Sequence, residues 1–449
     1  MNRQLWSSAN LALEFLIAVP IACLAQSPMA VTESGPVQGL EATGINIFRG
    51  IPFAAPPIGA LRWRVPQSTE KWTAVRQATT AGSPCIQRRG MSLENGGDGS
   101  RLVEVCLYLN VFNPRVERTA RLPAMVWIYG GALIVGSGGL PIHDGSARAR
   151  RNVVIATINE RIGAFGFFAH NGFDQEFPGG PANFARRDQI AALRWVKSNI
   201  DAFGGDPARV TIAVQSAGAR SVLNLMASPL AVDLFSDAVA QSPFGIPSHS
   251  RAKAKEIGVK LAIAMGLPGA QASAASLKAI PADRLAERGQ KISLAPSVIV
   301  GDEAIPMPLL EAFQKGQVHP VPLIIGNNND DASVVDSFGF DPAVLGQQMG
   351  KARIFVRSLL PGVSDQSQLG REVARDALFT ASGRRIAYLH STKAPAWRNF
   401  FNHVGPNASI GEVHGGEGLS DERPAIPNPA FCLQMPGNKD LRDEILCCA

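Results

Sequence analysis

A serine stands where a strand pattern changes into a helix pattern. Residues 210–218 read V-T-I-A-V-Q-S-A-G, a β-branched apolar run that ends at Gln215, and a helix pattern starts at Arg220. A serine on such a sharp turn projects its hydroxyl out of the sheet, beside the following backbone N–H groups. Ser216 is therefore a candidate nucleophile, although an ordinary helix-capping serine gives the same short pattern.

A nucleophilic serine needs a general base, because its hydroxyl reacts poorly at neutral pH. The usual base is a histidine that a carboxylate holds in orientation. Two adjacent carboxylates, Asp330 and Asp331, lie in the loop-like segment G-N-N-N-D-D-A-S. His414 lies in the segment G-E-V-H-G-G-E, and His403 precedes it within a predicted strand. A serine hydrolase would need one such acid and one such base, and the residues alone do not select them among the carboxylates and the seven histidines of the chain.

Apolar runs predict the elements that position these groups. Residues 188–202 carry apolar side chains at helical spacing, and residues 31–53 alternate as short antiparallel strands do. The runs that predict buried parallel strands are residues 124–129, 153–159, 322–326 and 399–404. Strands that alternate with helices imply an α/β protein, with a mostly parallel central sheet flanked by helices on both faces.

The candidate residues share one position relative to these strands. Ligands of open parallel sheets bind beyond the carboxyl ends of the strands. The residues that follow predicted strands, or come just beyond them, are Gly131, Ser216, Asp331 and His414. The sequence therefore places the candidate chemistry at one edge of the predicted sheet.

Composition narrows the classes of function. The chain has 449 residues, of which 46% are hydrophobic and 18% charged, so it can bury a large core, and residues 26–449 are expected to form a single domain. The net charge of +6 is mild and the basic residues are scattered, except at Arg148–Arg151, so no nucleic-acid partner is expected. No phosphate-cradling glycine loop and no cysteine or histidine cluster with metal spacing occurs, so neither a cofactor nor a metal is expected.

Residues 1–25 have the pattern of a secretory signal peptide. Arg3 gives a positive start, residues 11–23 are mostly apolar, and Ala25 precedes the predicted cleavage point. A lipoprotein signal ending at Cys23 is the alternative. The apolar run is too short to span a bilayer comfortably, so no stable membrane span is expected. The pattern predicts a secreted or periplasmic protein.

Several motifs occur in the order found in one known family. The segments F-R-G-I-P-F-A-A-P-P (residues 48–57), L-R-W (residues 61–63) and F-G-G-D-P (residues 203–207) accompany the Ser216 turn. This arrangement resembles the type-B carboxylesterase and cholinesterase family, and the resemblance extends from about Val31 to Glu417. It implies the α/β-hydrolase fold and the hydrolysis of small-molecule carboxylic esters. The chain order serine, acid, histidine agrees with that fold.

The resemblance also implies roles for individual residues. Ser216 corresponds to the nucleophile and His414 to the base, and Asp331 takes the position of the family's glutamate, with Asp330 as the alternative. An oxyanion hole is implied at the backbone N–H groups of Gly131, Ala132 and Ala217. Water would then release the acyl group from Ser216.

Two structural pairs are implied in the same way. The family closes a loop with a disulfide at the positions of Cys85 and Cys106, whereas two buried thiols are the alternative. It also pairs the arginine of L-R-W with a glutamate, here Arg62 and Glu104, as a structural ion pair. No aromatic residue lies between the two cysteines, and a choline cation needs an aromatic ring face, so a choline-ester enzyme is not expected.

The sequence departs from the family pattern at several places. Val214 and Ala132 stand where the family has glycine, and Gln215 replaces a glutamate. Residues 418–449 form an atypical, cysteine-containing tail with Cys432, Cys447 and Cys448. These departures leave a second hypothesis open, a catalytically weak or inactive relative that only binds ligands, and a lipase is a further variant. The sequence does not determine acyl or alcohol specificity, or the oligomeric state.

Overall fold

A computed structural model describes most of the chain. The described ranges are residues 27–87, 102–174, 176–245, 248–292, 297–334, 341–350, 352–360, 362–363, 365–401, 431–434 and 446–448. The predicted signal peptide, His403 and His414 lie outside these ranges. Within them, no helix is both long enough and apolar enough to cross a bilayer.

The strands include those that the apolar runs predict. They are β1 (Met29–Thr32), β2 (Gly35–Gln38), β3 (Leu40–Ala42), β4 (Ile45–Pro52), β5 (Arg76–Gln77), β6 (Tyr108–Pro114), β7 (Leu122–Ile128), β8 (Val154–Ile158), β9 (Gly205–Gln215), β10 (Asp237–Gln241), β11 (Leu323–Asn328), β12 (Ala396–Phe401), β13 (Phe431–Gln434) and β14 (Leu446–Cys448).

Helices separate most of the later strands. They are α1 (Ser146–Ala149), α2 (Gly163–Gly166), α3 (Asn171–Asp174), α4 (Phe184–Asn199), α5 (Ala217–Met226), α6 (Arg251–Ala264), α7 (Ala274–Lys278), α8 (Ala282–Ile292), α9 (Leu309–Lys315), α10 (Pro342–Gln348), α11 (Ala352–Leu359), α12 (Gln366–Arg375) and α13 (Ala381–His390). One π-helical turn, Asp376–Thr380, joins α12 to α13.

The main sheet has eleven strands in the order β14-β13-β12-β11-β10-β9-β7-β8-β6-β4-β3. Every pairing from β12 to β8 is parallel, and the strands at both edges pair antiparallel. From β7 the chain crosses to β8 on one side and then returns to β9 on the other. The carboxyl ends of β7 and β9 therefore flank the point where the strand order reverses, which is where open α/β sheets bind ligands.

Side chains of β8 show that both faces of the sheet are covered. Val154, Ala156 and Ile158 belong to the largest hydrophobic cluster, which includes residues of α4 and α5. Ile155 instead packs with Ala149 of α1 on a second cluster. Alternate residues of a strand point to opposite faces, so helices lie on both sides of the sheet, as predicted.

The N-terminal region is tied to the body of the protein by the two pairs that the family resemblance implies. Cys85 and Cys106 form a disulfide. The Arg62 Nε donates to Glu104 Oε1 at 2.6 Å, and the same guanidinium donates to the carbonyl oxygens of Lys278 and Ile280. Arg62 is 7% exposed, so this ion pair is buried and fixes the cysteine loop against the α7 region.

We expect the disulfide to stabilise the protein by about 3 kcal/mol, because it restrains a loop of this length in the unfolded chain. The two cysteines are 21 positions apart. Urea unfolding of the double variant Cys85→Ala, Cys106→Ala should show this loss. A reductant should lower the unfolding midpoint of the wild type and leave that of the double variant unchanged. A wild-type midpoint that is insensitive to the reductant contradicts the expectation.

Candidate active site

Ser216 occupies a strained turn between β9 and α5. Its φ is 61° and its ψ is −129°, a backbone conformation that non-glycine residues rarely adopt. The Ser216 N–H donates to the Gln241 carbonyl oxygen at 2.9 Å, and the Ser216 carbonyl oxygen accepts from the Ala219 N–H at 2.8 Å. Neighbouring structure thus holds the turn on both sides, and α5 begins at Ala217.

Close packing explains why glycines surround this turn. A Cβ at Gly218 would lie 2.8 Å from the Tyr129 carbonyl oxygen and 3.1 Å from the Val214 Cβ. A Cβ at Gly130 would lie 3.2 Å from the Ser216 Cβ. The end of β7 therefore packs directly on the serine. Val214, the branched residue that departs from the family pattern, is fully buried and fits because its neighbour Gly218 has no side chain.

The segment after β7 forms a tight turn beside Ser216. Gly131 has a φ of 109°, and its carbonyl oxygen accepts from the N–H groups of Ile134 and Val135. Ala132 and Leu133 follow with φ values of 54° and 63°. Because this turn contacts the serine, it lies where backbone donors could face an oxyanion that forms on a bound acyl group.

Ala132, which stands where the family has glycine, has a left-handed backbone conformation. A left-handed conformation costs a non-glycine residue about 1–2 kcal/mol. We expect Ala132→Gly to raise the free energy of unfolding by about 1 kcal/mol, because glycine adopts this conformation without a steric cost. Chemical denaturation measures the change. Ala191→Gly, at a position of α4 that is half-buried as Ala132 is, is the matched control and should lower stability by about 1 kcal/mol. Equal losses in both variants contradict the expectation.

Asp331 lies in the loop after β11 and is completely buried. Its Oδ2 accepts from the Asn328 N–H at 2.8 Å, and its Oδ1 accepts from the Ser242 Oγ at 2.8 Å. Asp330 is half-buried, and its carbonyl oxygen accepts from Ser333. Neighbouring donors thus hold the Asp331 carboxylate in a fixed orientation, which favours Asp331 as the acid.

Ser242 is a site residue that sequence reasoning did not select. It follows β10, the strand between β9 and β11, and its N–H donates to the Gly326 carbonyl oxygen at 2.7 Å. Its φ of 54° turns the chain sharply, and its hydroxyl then reaches Asp331. A serine after a predicted strand carries no signal of its own, because only the adjacent strand ends bring it to the carboxylate.

The spacing of the strands leaves room for a base between Ser216 and Asp331. They follow β9 and β11, which flank β10, so the strand ends lie about 10 Å apart. An imidazole with a hydrogen bond on each side spans a gap of this order. β12 pairs in parallel with β11 and ends at Phe401, thirteen positions before His414. The chain thus reaches the correct edge of the sheet, although His414 itself lies outside the described residues.

A buried polar cluster, formed by Glu160, Arg161, Arg186, Asp188 and Gln189, lies beneath the turn after β7. Arg161 binds Asp188 through two hydrogen bonds of 2.6 and 2.8 Å. The Gln189 amide links the other two charged groups, since it donates to Glu160 and accepts from Arg186. The Tyr129 hydroxyl donates to the Glu160 carbonyl oxygen, which connects the cluster to β7.

Glu160 makes stability depend on pH. Burial raises the pKa of its carboxyl group from 4.5 to about 8, although the nearby Arg186 guanidinium opposes the shift. Between these two values the folded protein holds the proton and the unfolded chain releases it. We therefore expect the contribution of Glu160 to the free energy of unfolding to be fully present below pH 4.5. This contribution should be lost as the pH rises through about 8. Glu160→Gln, which cannot ionise, should flatten the pH dependence of the unfolding midpoint, and an unchanged profile contradicts this.

An apolar cavity lies next to the turn after β7. Its lining includes Ile134, Phe167 and Ile299, with Gln87, His249 and Ser297 as polar groups. Ala217 packs against the hydrophobic cluster that contains Leu133, Phe167 and Ile299. The cavity thus adjoins the hydrophobic cluster on which Ala217 packs, and it continues toward α6 and α8 with a mostly apolar lining.

Comparison with known proteins connects this arrangement to esterases. The profile of the carboxylesterase family matches residues 26–360. The chain is 37% identical to fumonisin B1 esterase from Sphingopyxis macrogoltabida over 323 residues, which are 70% of this chain and 58% of that enzyme. It is 33% identical to para-nitrobenzyl esterase from Bacillus subtilis over 399 residues, 83% of this chain and 78% of the relative.

Solved structures of esterases have the same fold. The Geobacillus stearothermophilus carboxylesterase EST55 matches with a TM-score of 0.76 at 28% identity, over 86% of this chain and 82% of that one. A PNB esterase structure matches with a TM-score of 0.72 at 30% identity, over 87% and 84% of the two chains. The chain therefore has the α/β-hydrolase fold that its motifs imply.

Proposed function

Because this chain belongs to the carboxylesterase family, and is thus a carboxylic ester hydrolase, we propose that it cleaves small-molecule esters through an acyl-enzyme on Ser216. His414 is the proposed base and Asp331 the residue that orients it. The observation that supports the proposal most strongly is the strained Ser216 turn, which packs against the Gly130 segment at the point where the strand order reverses.

The proposed reaction has two acyl-transfer steps. The Ser216 Oγ attacks the acyl carbon while the His414 imidazole takes its proton, and the carbonyl oxygen becomes an oxyanion held by the N–H groups of Gly131, Ala132 and Ala217. The intermediate then expels the alcohol, which receives the proton from His414. A water molecule attacks the acyl-enzyme with His414 again as base, and the carboxylic acid leaves Ser216 free.

Asp331 is suited to its proposed role by burial and by its fixed hydrogen bonds. Its two carboxylate oxygens accept from Ser242 and from the Asn328 N–H, so the carboxylate cannot turn away from the strand ends. A carboxylate in such a position selects the tautomer of the histidine and stabilises the imidazolium that forms during attack.

A pre-steady-state experiment tests the acyl-enzyme. Mixing the protein with para-nitrophenyl butyrate should give a rapid burst of para-nitrophenol, of about one equivalent per active site, followed by slower turnover. The amplitude should scale with protein concentration. A folded protein that releases no para-nitrophenol refutes the proposal and leaves the alternative of a relative that only binds ligands.

We also propose that the protein is exported to an oxidising compartment. The positive start and the apolar run of residues 11–23 support a signal peptide, and the Cys85–Cys106 disulfide is a bond that persists in such compartments. Mass spectrometry of the protein recovered from the periplasm or medium of an expressing cell should give a chain that begins after Ala25. Recovery of only uncleaved chain from the cytoplasm overturns the export proposal and leaves the catalytic one untouched.

A further inference from the structure

A buried arginine follows the nucleophile by one helical turn. Arg220 lies in the first turn of α5, four residues after Ser216, and it is 6% exposed. Side chains four positions apart share a helix face, and a helical side chain points back toward the N-terminus of its helix. The Arg220 guanidinium therefore lies on the Ser216 side of α5, where its Nη2 donates to the Ser248 Oγ at 3.2 Å.

This guanidinium has no carboxylate partner among the described residues. Two other buried arginines differ in this respect, since Arg62 pairs with Glu104 and Arg161 pairs with Asp188. Burial lowers the pKa of Arg220 to about 10, and its charge helps to lower the pKa of Arg186, so the two cations lie near each other. The positive end of the α5 dipole adds to this potential. A buried cation without an anion is unfavourable, so the site is suited to a negative ligand.

A hydrogen bond links the Arg220 guanidinium to the segment that lines the apolar cavity. Ser248, which accepts from Arg220, precedes His249, and His249 lines the cavity together with Ile134 and Phe167. Burial and the charges of Arg220 and Lys253 lower the pKa of His249, which places the guanidinium close to the cavity wall. The cavity is thus mostly apolar with a positive charge at one border, a combination that fits an aliphatic chain ending in a carboxylate.

We propose that Arg220 is a specificity determinant that binds a carboxylate of the substrate, so that the protein favours esters carrying a second, ionised carboxyl group. The inference rests on the ester hydrolysis proposed above. The fork of guanidinium donors matches a carboxylate, which can accept two parallel hydrogen bonds. The carboxylate can belong to the acyl part, as in a half-ester of a dicarboxylic acid, or to the alcohol part.

Paired substrates test the proposal. The acyl pair is para-nitrophenyl hemiglutarate and para-nitrophenyl valerate, which have equal chain lengths, and the alcohol pair is para-carboxyphenyl valerate and para-carbamoylphenyl valerate. We expect the wild type to favour the charged member of one pair in kcat/KM, and Arg220→Met to lower that ratio by about 10- to 100-fold. Arg209→Met, at an exposed arginine, is the matched control and should leave the ratio unchanged. Equal ratios in wild type and Arg220→Met overturn the proposal.

Thermal unfolding separates binding from catalysis. Glutarate should raise the Tm of the wild type, and it should not raise that of Arg220→Met, because only a ligand that binds the folded state stabilises it. Without glutarate, the variant should be at least as stable as the wild type, since it loses an unpaired buried charge. If Arg220→Met has a lower Tm than the wild type, and glutarate does not raise the Tm of the wild type, then Arg220 has a structural partner within the chain. That result overturns the proposal. Glutarate binding without hydrolysis of any neutral ester would instead refute the proposed function alone.

Discussion

Replacement of Ser216 by alanine should lower kcat for para-nitrophenyl butyrate by about 10⁵-fold, the scale on which removal of a serine nucleophile acts in other serine hydrolases. The reason is that the strained turn holds the Ser216 side chain beside the Gly130 segment, where the oxyanion is proposed to form. Initial rates of para-nitrophenol release, corrected for spontaneous hydrolysis, measure the loss.

Folding controls make this result interpretable. Ser216 is half-buried, and the alanine variant keeps the backbone hydrogen bonds that hold this turn. The free energy of unfolding should therefore change by less than about 0.5 kcal/mol, and the Tm should stay within about 2 °C of the wild type. Ser236→Ala, at the opposite end of the neighbouring strand, serves as the matched serine control and should retain wild-type rates. A Ser216→Ala variant with near wild-type kcat excludes an acyl-enzyme on this residue.

The second large effect concerns the two adjacent aspartates. Asp331→Asn should lower kcat by about 10⁴-fold, since an amide selects the wrong tautomer of the histidine. Asp330→Asn should change kcat by less than about threefold, because a residue that does not hold the histidine leaves its tautomer unchanged. Steady-state kinetics of both variants, with one ester and at one pH, give the comparison.

The hydrogen bonds of Asp331 supply a stability control. Asn keeps one acceptor oxygen where the carboxylate has two, so one of the donors from Ser242 and Asn328 loses its partner. We expect a loss of about 1–3 kcal/mol in unfolding free energy. Ser242→Ala should lower kcat while Asp331 remains, which identifies Ser242 as a positioning residue. If Asp330→Asn is the inactive variant, the assignment of the acid is reversed.

The sequence predicts the central sheet well because its strands are short, apolar and separated by clear turn signals. The run of residues 124–129 corresponds to β7, and the strand-to-helix change at Ser216 is confirmed. Boundaries are less accurate. β12 begins at Ala396 and not at residue 399, and α4 begins at Phe184 and not at residue 188, because tertiary contacts and not periodicity set where these elements begin. The antiparallel strands β13 and β14 were not expected, since the tail has no regular apolar pattern.

The parts of the site that follow from backbone position could be predicted, and the parts that depend on long-range contacts could not. The local motif alone singles out Ala132 as a departure from the family's glycine, and the structure gives this residue a positive φ. The contact of Ser242 with Asp331 joins residues 89 positions apart, and no spacing rule indicates it. The same holds for Arg220, which the sequence presents only as the start of a helix. The role of His414 stays a prediction.

Labelling with a fluorophosphonate probe tests the central claim most directly, because the probe phosphonylates a serine only when a base activates it. Peptide mapping of the labelled wild type should place the adduct on Ser216. Ser216→Ala should show no adduct, His414→Ala should label at least about 10³-fold more slowly, and His403→Ala should label at the wild-type rate. An adduct on another residue, or a folded wild-type protein that takes up no probe, contradicts the account.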